Sequence, residues 1–105
     1  MDKVAAFTEI LAQNPQDAFA RYGLAMEYIQ REQIQLALDQ FDELLKRHPD
    51  YTPGYQMAAQ TLLSAGRREE AIHRLVAGIE CARRAGNRQA TAEMQGMLEE
   101  AQAEQ

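Results

Sequence analysis

The sequence predicts an all-α protein, a helical repeat of about six antiparallel helices. Three observations carry that prediction. The chain matches itself at a shift of 34 residues, a period typical of stacked helix pairs. Apolar residues recur at helical spacing, whereas alternation of period two never persists. Residues that stop, start or cap helices fall between the apolar stripes.

The repeat is visible by eye. Phe7-Thr-Glu-Ile-Leu-Ala-Gln-Asn-Pro15 falls on Phe41-Asp-Glu-Leu-Leu-Lys-Arg-His-Pro49, with Phe, Glu, Leu and Pro identical and Ile10 meeting Leu44. Further along, Ala25 falls on Ala59, Tyr28 on Leu62, Ala37 on Ala71, Phe41 on Leu75 and Leu45 on Ile79.

The elements follow in order. A first helix over residues 2–13 carries Val4, Phe7, Ile10 and Leu11 and ends before Pro15, which lacks the N–H needed to continue a helix. A second, 17–31, opens on Asp17 as a cap and shows Leu24, Ala25, Tyr28 and Ile29 on one face. A third, 34–47, carries Leu38, Phe41, Leu44 and Leu45 and stops at Pro49. A fourth, 52–65, is expected to start with Thr52 as cap and Pro53 at the first helical position, and to close at Gly66. A fifth, 68–84, has an apolar stripe of Ile72, Leu75, Val76 and Ile79, and ends near Gly86. Asn87 caps a sixth, 88–103.

These residues resemble the tetratricopeptide family, whose motif sets small residues where two helices cross and a proline before the next unit. Leu24, Ala25 and Tyr28 fill the large, small and large positions of a first helix. Ala37, Phe41 and Leu44 fill those of a second, and Pro49 closes the unit. The next unit has Tyr55, Ala58, Ala59, Leu62, Gly66, Ala71, Leu75 and Gly78 in the corresponding places. It departs from the pattern at Arg83, which replaces the proline. In the first unit Arg21 replaces a large aromatic, and Glu32 replaces the turn glycine. The resemblance implies one right-handed α-α superhelical domain over 1–105. Its parts would be a half-repeat helix (2–14), two full units (18–51 and 52–85) and a capping helix (87–103).

Composition narrows the function. Net charge is −5, with five basic and nine acidic residues in 1–50 and six and seven in 51–105. No basic arm results, so nucleic acid is not the expected partner. The single cysteine, Cys81, cannot form an internal disulfide. The N-terminal residues lack the pattern of a secretory signal, and no apolar run approaches the roughly 18 residues of a membrane span. A cytoplasmic location and no membrane partner are therefore expected.

Catalysis requires a nucleophile or acid–base pair within reach of a substrate. His48 reads as a solvated histidine at a helix end, His73 as water-facing, and Cys81 as lying off the apolar stripe of its helix. Arg84 stands three residues from Cys81, a thin setting for a reactive thiol. No pair of histidines or cysteines has metal-ligand spacing. Arg83, Arg84 and Arg88 read as a solvated surface, blunted by Glu80 and Glu93. No catalytic residue, metal or cofactor is expected, and the chain is read as a non-enzyme.

By the resemblance, the concave groove of the family holds an extended peptide or helix of a partner protein. The positions carried over are Phe19, Tyr22, Met26 and Gln30 in the first unit, and Gln56, Met57 and Gln60 in the second. Ile29, Leu63 and Ser64 lie beside them. An aromatic anchor, soft thioethers and neutral amides suit a partly apolar peptide. One subfamily grips a partner's terminal carboxylate with lysines and asparagines on these faces. Here Tyr22, Met26, Met57 and Gln60 stand there, so a carboxylate clamp is disfavoured. The expected role is an adaptor or scaffold that binds a protein or peptide. The alternative is a self-associating homodimer, served by the outer side of the first helix.

Overall fold

The computed structural model describes residues 2–104. It contains six helices and, among the described residues, no strand: α1 (Lys3–Gln13), α2 (Ala18–Gln30), α3 (Ile34–Arg47), α4 (Thr52–Ser64), α5 (Arg68–Arg84) and α6 (Arg88–Ala103). These bounds fall within one residue of the expected ones. The chain divides into two compact units, Met1–Pro49 with α1 to α3 and Asp50–Gln105 with α4 to α6.

In the first unit Asp2 starts α1 by accepting from the Val4 N–H at 3.1 Å. The same carboxylate oxygen takes a hydrogen bond from Arg31 Nη2 at 2.8 Å, which ties the start of α1 to the end of α2. Asp17 caps α2, accepting from the Ala20 N–H at 2.9 Å. Leu11, Ala20 and Leu24 form a buried cluster between these helices, flanked by Val4, Phe7 and Tyr28. Of the large apolar residues in α1 only Ile10 is well exposed, at 44%. The amphipathic α3 buries Ala37, Leu38, Phe41, Leu44 and Leu45. Behind it the His48 ring donates from Nε2 to the Gln16 carbonyl at 2.9 Å, fastening the end of α3 to the α1–α2 turn.

Arg21, which stands where the family pattern has an aromatic, is held as a half-buried bridge. Its Nη1 donates to Gln40 Oε1 and its Nη2 to the Pro15 carbonyl, both at 3.0 Å. The stem packs while the head is satisfied, so a long cation replaces a ring.

In the second unit α4 opens one residue earlier than its capping chemistry implies. Tyr51 occupies the cap position without a side-chain capping bond to the helix, and Thr52 is already helical, so Pro53 is the second helical residue. Thr52 is buried, and its hydroxyl pairs with the Cys81 thiol of α5 at 3.3 Å. A hydroxyl turned inward cannot cap a helix, and this one fills its hydrogen-bonding need across the helix pair instead.

Small residues set the packing of α5. Gly78 lies against Tyr55 of α4 and Met94 of α6. The buried set in α5 is Ala71, Leu75, Gly78, Ile79, Cys81 and Ala82. Cys81 therefore belongs to the core and Val76, 55% exposed, does not. The expected stripe is corrected on both counts, because α5 packs against α4 and α6 and buries more than one face.

The turns after α2, α4 and α5 share one geometry. Gln33 N–H reaches Tyr28 O, Arg67 N–H reaches Leu62 O and Asn87 N–H reaches Ala82 O, each at 2.9 Å. This is the six-to-one bond of a Schellman ending. It needs a left-handed residue, supplied by Gly66 (φ 74°) and Gly86 (φ 70°), but after α2 by Glu32 (φ 58°).

Candidate functional site

The seven expected contact residues lie on α2 and α4. Phe19, at the start of α2, is 76% exposed, an unusual position for a phenylalanine. Met26 and Gln30 follow seven and eleven residues later, on the same helical stripe. Tyr22 is half-buried, and its ring meets Phe41 edge-on, with centroids 6.2 Å apart and planes at 67°. That arrangement commits one edge of the ring to the core of the first unit.

Met26 and Gln30 line an open cleft of about 500 Å³ between α1 and α2, together with Lys3, Ala6, Phe7, Gly23 and Glu27. Its shape has a simple cause. At Gly23 there is no Cβ, and the Phe7 ring tip occupies that space; a Cβ would come within 2.6 Å of it. The floor is apolar, with Lys3 and Glu27 at the rim. Glu27 is partly neutralised by Arg31 at 3.5 Å. The α1 side of this cleft was not among the expected residues. The shift that superposes Phe7 on Phe41 marks Phe7 as a core residue, and only the contact with Gly23 reveals its second role.

On α4, Gln56 and Met57 are half-buried and Gln60 is exposed. Gln56 lines a smaller cleft of about 200 Å³ with Thr52, Pro53, Asn87, Gln89, Ala90 and Glu93. Its amide donates to Glu93 Oε1 at 3.0 Å, and Gln89 donates to Glu93 Oε2 at 3.1 Å. These two bonds, that from Gln56 first, hold the Glu93 carboxyl below its ordinary range. Gln56 thus has a donor engaged within the protein while its carbonyl oxygen remains available to a ligand N–H. Glu93 is not a neighbour of the arginine cluster in bonding terms; it serves α4. Counted from the helix starts at Thr52 and Arg88, Glu93 holds in α6 the place Met57 holds in α4, the signal that could have identified it.

Residues with chemical potential stay apart. His73 is exposed, His48 is spent on the Gln16 carbonyl, and Cys81 is buried against Thr52. Among the described residues no group of three or more His, Cys, Asp or Glu side chains converges as a metal site. No helix among them is long and apolar enough to cross a membrane.

Comparison with known proteins gives a consistent set of similar chains. The tetratricopeptide repeat family model matches residues 1–56. A tetratricopeptide repeat domain protein from Salinibacter ruber is 32% identical, with a TM-score of 0.81 over 86% of this chain and 91% of that one. The TPR2B domain of yeast Sti1, solved as a pHsp70 complex, is 18% identical, with a TM-score of 0.88 over 97% of this chain and 82% of that one. The type III secretion translocator chaperone SycD of Yersinia enterocolitica is 19% identical, with a TM-score of 0.87 over 96% of this chain and 70% of that one. No curated protein matches the chain in sequence.

Proposed function

The chain belongs to the tetratricopeptide repeat family, and from that premise we propose that it is a non-catalytic adaptor holding a peptide or helix of a partner protein on the outward faces of α2 and α4. The observation that carries this reading is Phe19. A phenylalanine left 76% exposed, in line with the half-buried Met26 beside an open apolar cleft, supports an apolar ligand face. Removing that area from water on binding supplies the driving force. A ligand side chain of aliphatic size enters the cleft beside Phe7, Gly23 and Met26. Gln30, exposed on α2, bonds to its backbone, and Gln60 is an exposed amide of the same kind on α4.

The neighbours by fold support the class of partner: the Sti1 domain is held in a complex with pHsp70, and SycD is a translocator chaperone. The mode differs from a carboxylate clamp. Arg21 is the only cation in α2, and it is engaged by Gln40 and Pro15; α4 has none.

The test is affinity capture with wild type and with Phe19→Glu and Gln60→Glu variants of unchanged melting temperature. Both positions are exposed, so the substitutions leave the core alone. A partner held by wild type and lost by the variants supports the reading. Equal capture by all three contradicts it.

A further inference from the structure

The outward face of α5 has a symmetry of its own. Glu69, His73, Val76, Glu80 and Arg83 follow one another at spacings of four, three, four and three residues, which places them on one helical stripe, and all five are exposed. Val76 is the middle residue of α5, which runs from Arg68 to Arg84. Glu69 lies seven residues before it and Arg83 seven after, about 10 Å along the axis in each direction. His73 and Glu80 flank the same centre, three before and four after. Beside the stripe runs a largely apolar cleft of about 520 Å³ between α5 and α6, lined by Val76, Ala77, Ile79 and Leu98 together with Glu80, Arg83 and Gln95.

A two-fold rotation about Val76 maps this stripe onto an opposing copy with its charges complementary. Glu69 meets the second copy's Arg83, Arg83 meets its Glu69, and His73 meets its Glu80. The two Val76 side chains come together at the axis and cover the cleft. Self-complementarity of one patch under a two-fold axis is the requirement for an isologous dimer. A different protein would need no such palindrome.

We propose that the α5 face is a homodimer interface, in which two copies of this chain pack α5 antiparallel about Val76. A patch of one helix and its neighbouring cleft lies at the small end of specific interfaces, so the dimer is weak and concentration-dependent. The face carries none of Phe19, Met26 or Gln60, so pairing here and partner capture by α2 and α4 fail or succeed separately.

The experiment is sedimentation equilibrium of the full chain over a concentration series. The expected result is a mass rising from that of one chain toward two, and Val76→Glu staying monomeric at every concentration. Glu69→Arg alone sets two pairs of arginines against each other across the axis and weakens the dimer by about tenfold. Arg83→Glu alone does the same with glutamates. The double variant Glu69→Arg with Arg83→Glu restores both pairs and recovers association, which loss of folding in a single variant cannot imitate. A wild type monomeric at about 1 mM, a concentration that reveals even very weak association, overturns the proposal and leaves the cleft to a different protein. A dimer indifferent to Val76→Glu, or a double variant no tighter than the singles, overturns it as well.

Discussion

Gly78 and Tyr55 pack so closely that a Cβ on Gly78 would sit 2.6 Å from the Tyr55 Cβ, and 2.7 Å from the Met94 sulfur on the other side. The nearest atom is the root of a side chain, fixed to the α4 backbone, so relief requires the helices to separate. Gly96 of α6 has nothing within 4 Å of the same construction. The two glycines therefore respond oppositely to alanine. Gly78→Ala loses about 1–2 kcal/mol, overpacking outweighing the gain in helix propensity. Gly96→Ala gains about 0.5–1 kcal/mol. Urea denaturation of the two variants checks the signs, and a Gly78→Ala variant as stable as wild type contradicts the packing account.

Glu32 holds the left-handed position that Gly66 and Gly86 hold in the later turns. A side chain there costs about 1–2 kcal/mol, partly offset because glycine loses more chain entropy on folding. Glu32→Gly is expected to raise stability by about 0.5–1 kcal/mol. Gly66→Ala, with the same turn and open space around it, is expected to lower stability by a similar amount. Thermal melts of both variants decide the matter, and it is the opposite signs that count.

Much of the architecture was legible because its punctuation is chemical. Pro15 and Pro49 stop helices, Asp17 and Asn87 cap them with measurable bonds, and Gly66 and Gly86 close them. The orientation of α5 was not legible. Hydrophobic periodicity selects Val76 and passes over Cys81, yet α5 is enclosed by two neighbours, and small residues such as Ala71, Gly78 and Ala82 do the burying. Thr52 shows the same limit: its residue type suits a cap, and only the proximity of Cys81 reveals where its hydroxyl bonds. For the candidate site, the stripe of Phe19, Met26 and Gln30 follows from helical spacing. The engagement of Tyr22 with Phe41 and of Gln56 with Glu93 are tertiary contacts that spacing cannot supply.

Acid should weaken the fold within a defined window. Asp2, Glu43, Glu70 and Glu93 are each held below their ordinary values, 3.8 for aspartate and 4.5 for glutamate, chiefly by hydrogen bonds from Arg31, Arg47, Arg67 and Gln56 respectively. A carboxyl depressed in the folded state stabilises it above its unfolded value, and that contribution is lost as pH falls through the folded value. The melting temperature is therefore expected to be level from pH 7 to about 5 and to drop below about 4.5. Exposure and salt keep the drop modest. Melting curves across pH 7 to 3 at low and high salt check this, and a Glu93→Gln variant should lose less on acidification than wild type.

Cys81 is 4% exposed and paired with Thr52. A thiol in that setting reacts only when the second unit opens. Labelling by an aromatic disulfide reagent is expected to run roughly a hundredfold or more slower in native protein than in urea. Labelling at the rate of an unprotected thiol would contradict the assigned burial.

The most direct test of the adaptor reading is site-specific photo-crosslinking in cells of the native organism. A photoreactive residue replaces Phe19 or Gln60 on the proposed ligand faces, or Lys46, an exposed residue on α3, as the comparison. Partner adducts are expected from positions 19 and 60 and none from 46. Adducts from 46 with none from 19 and 60 would contradict the adaptor reading and move the ligand face off α2 and α4.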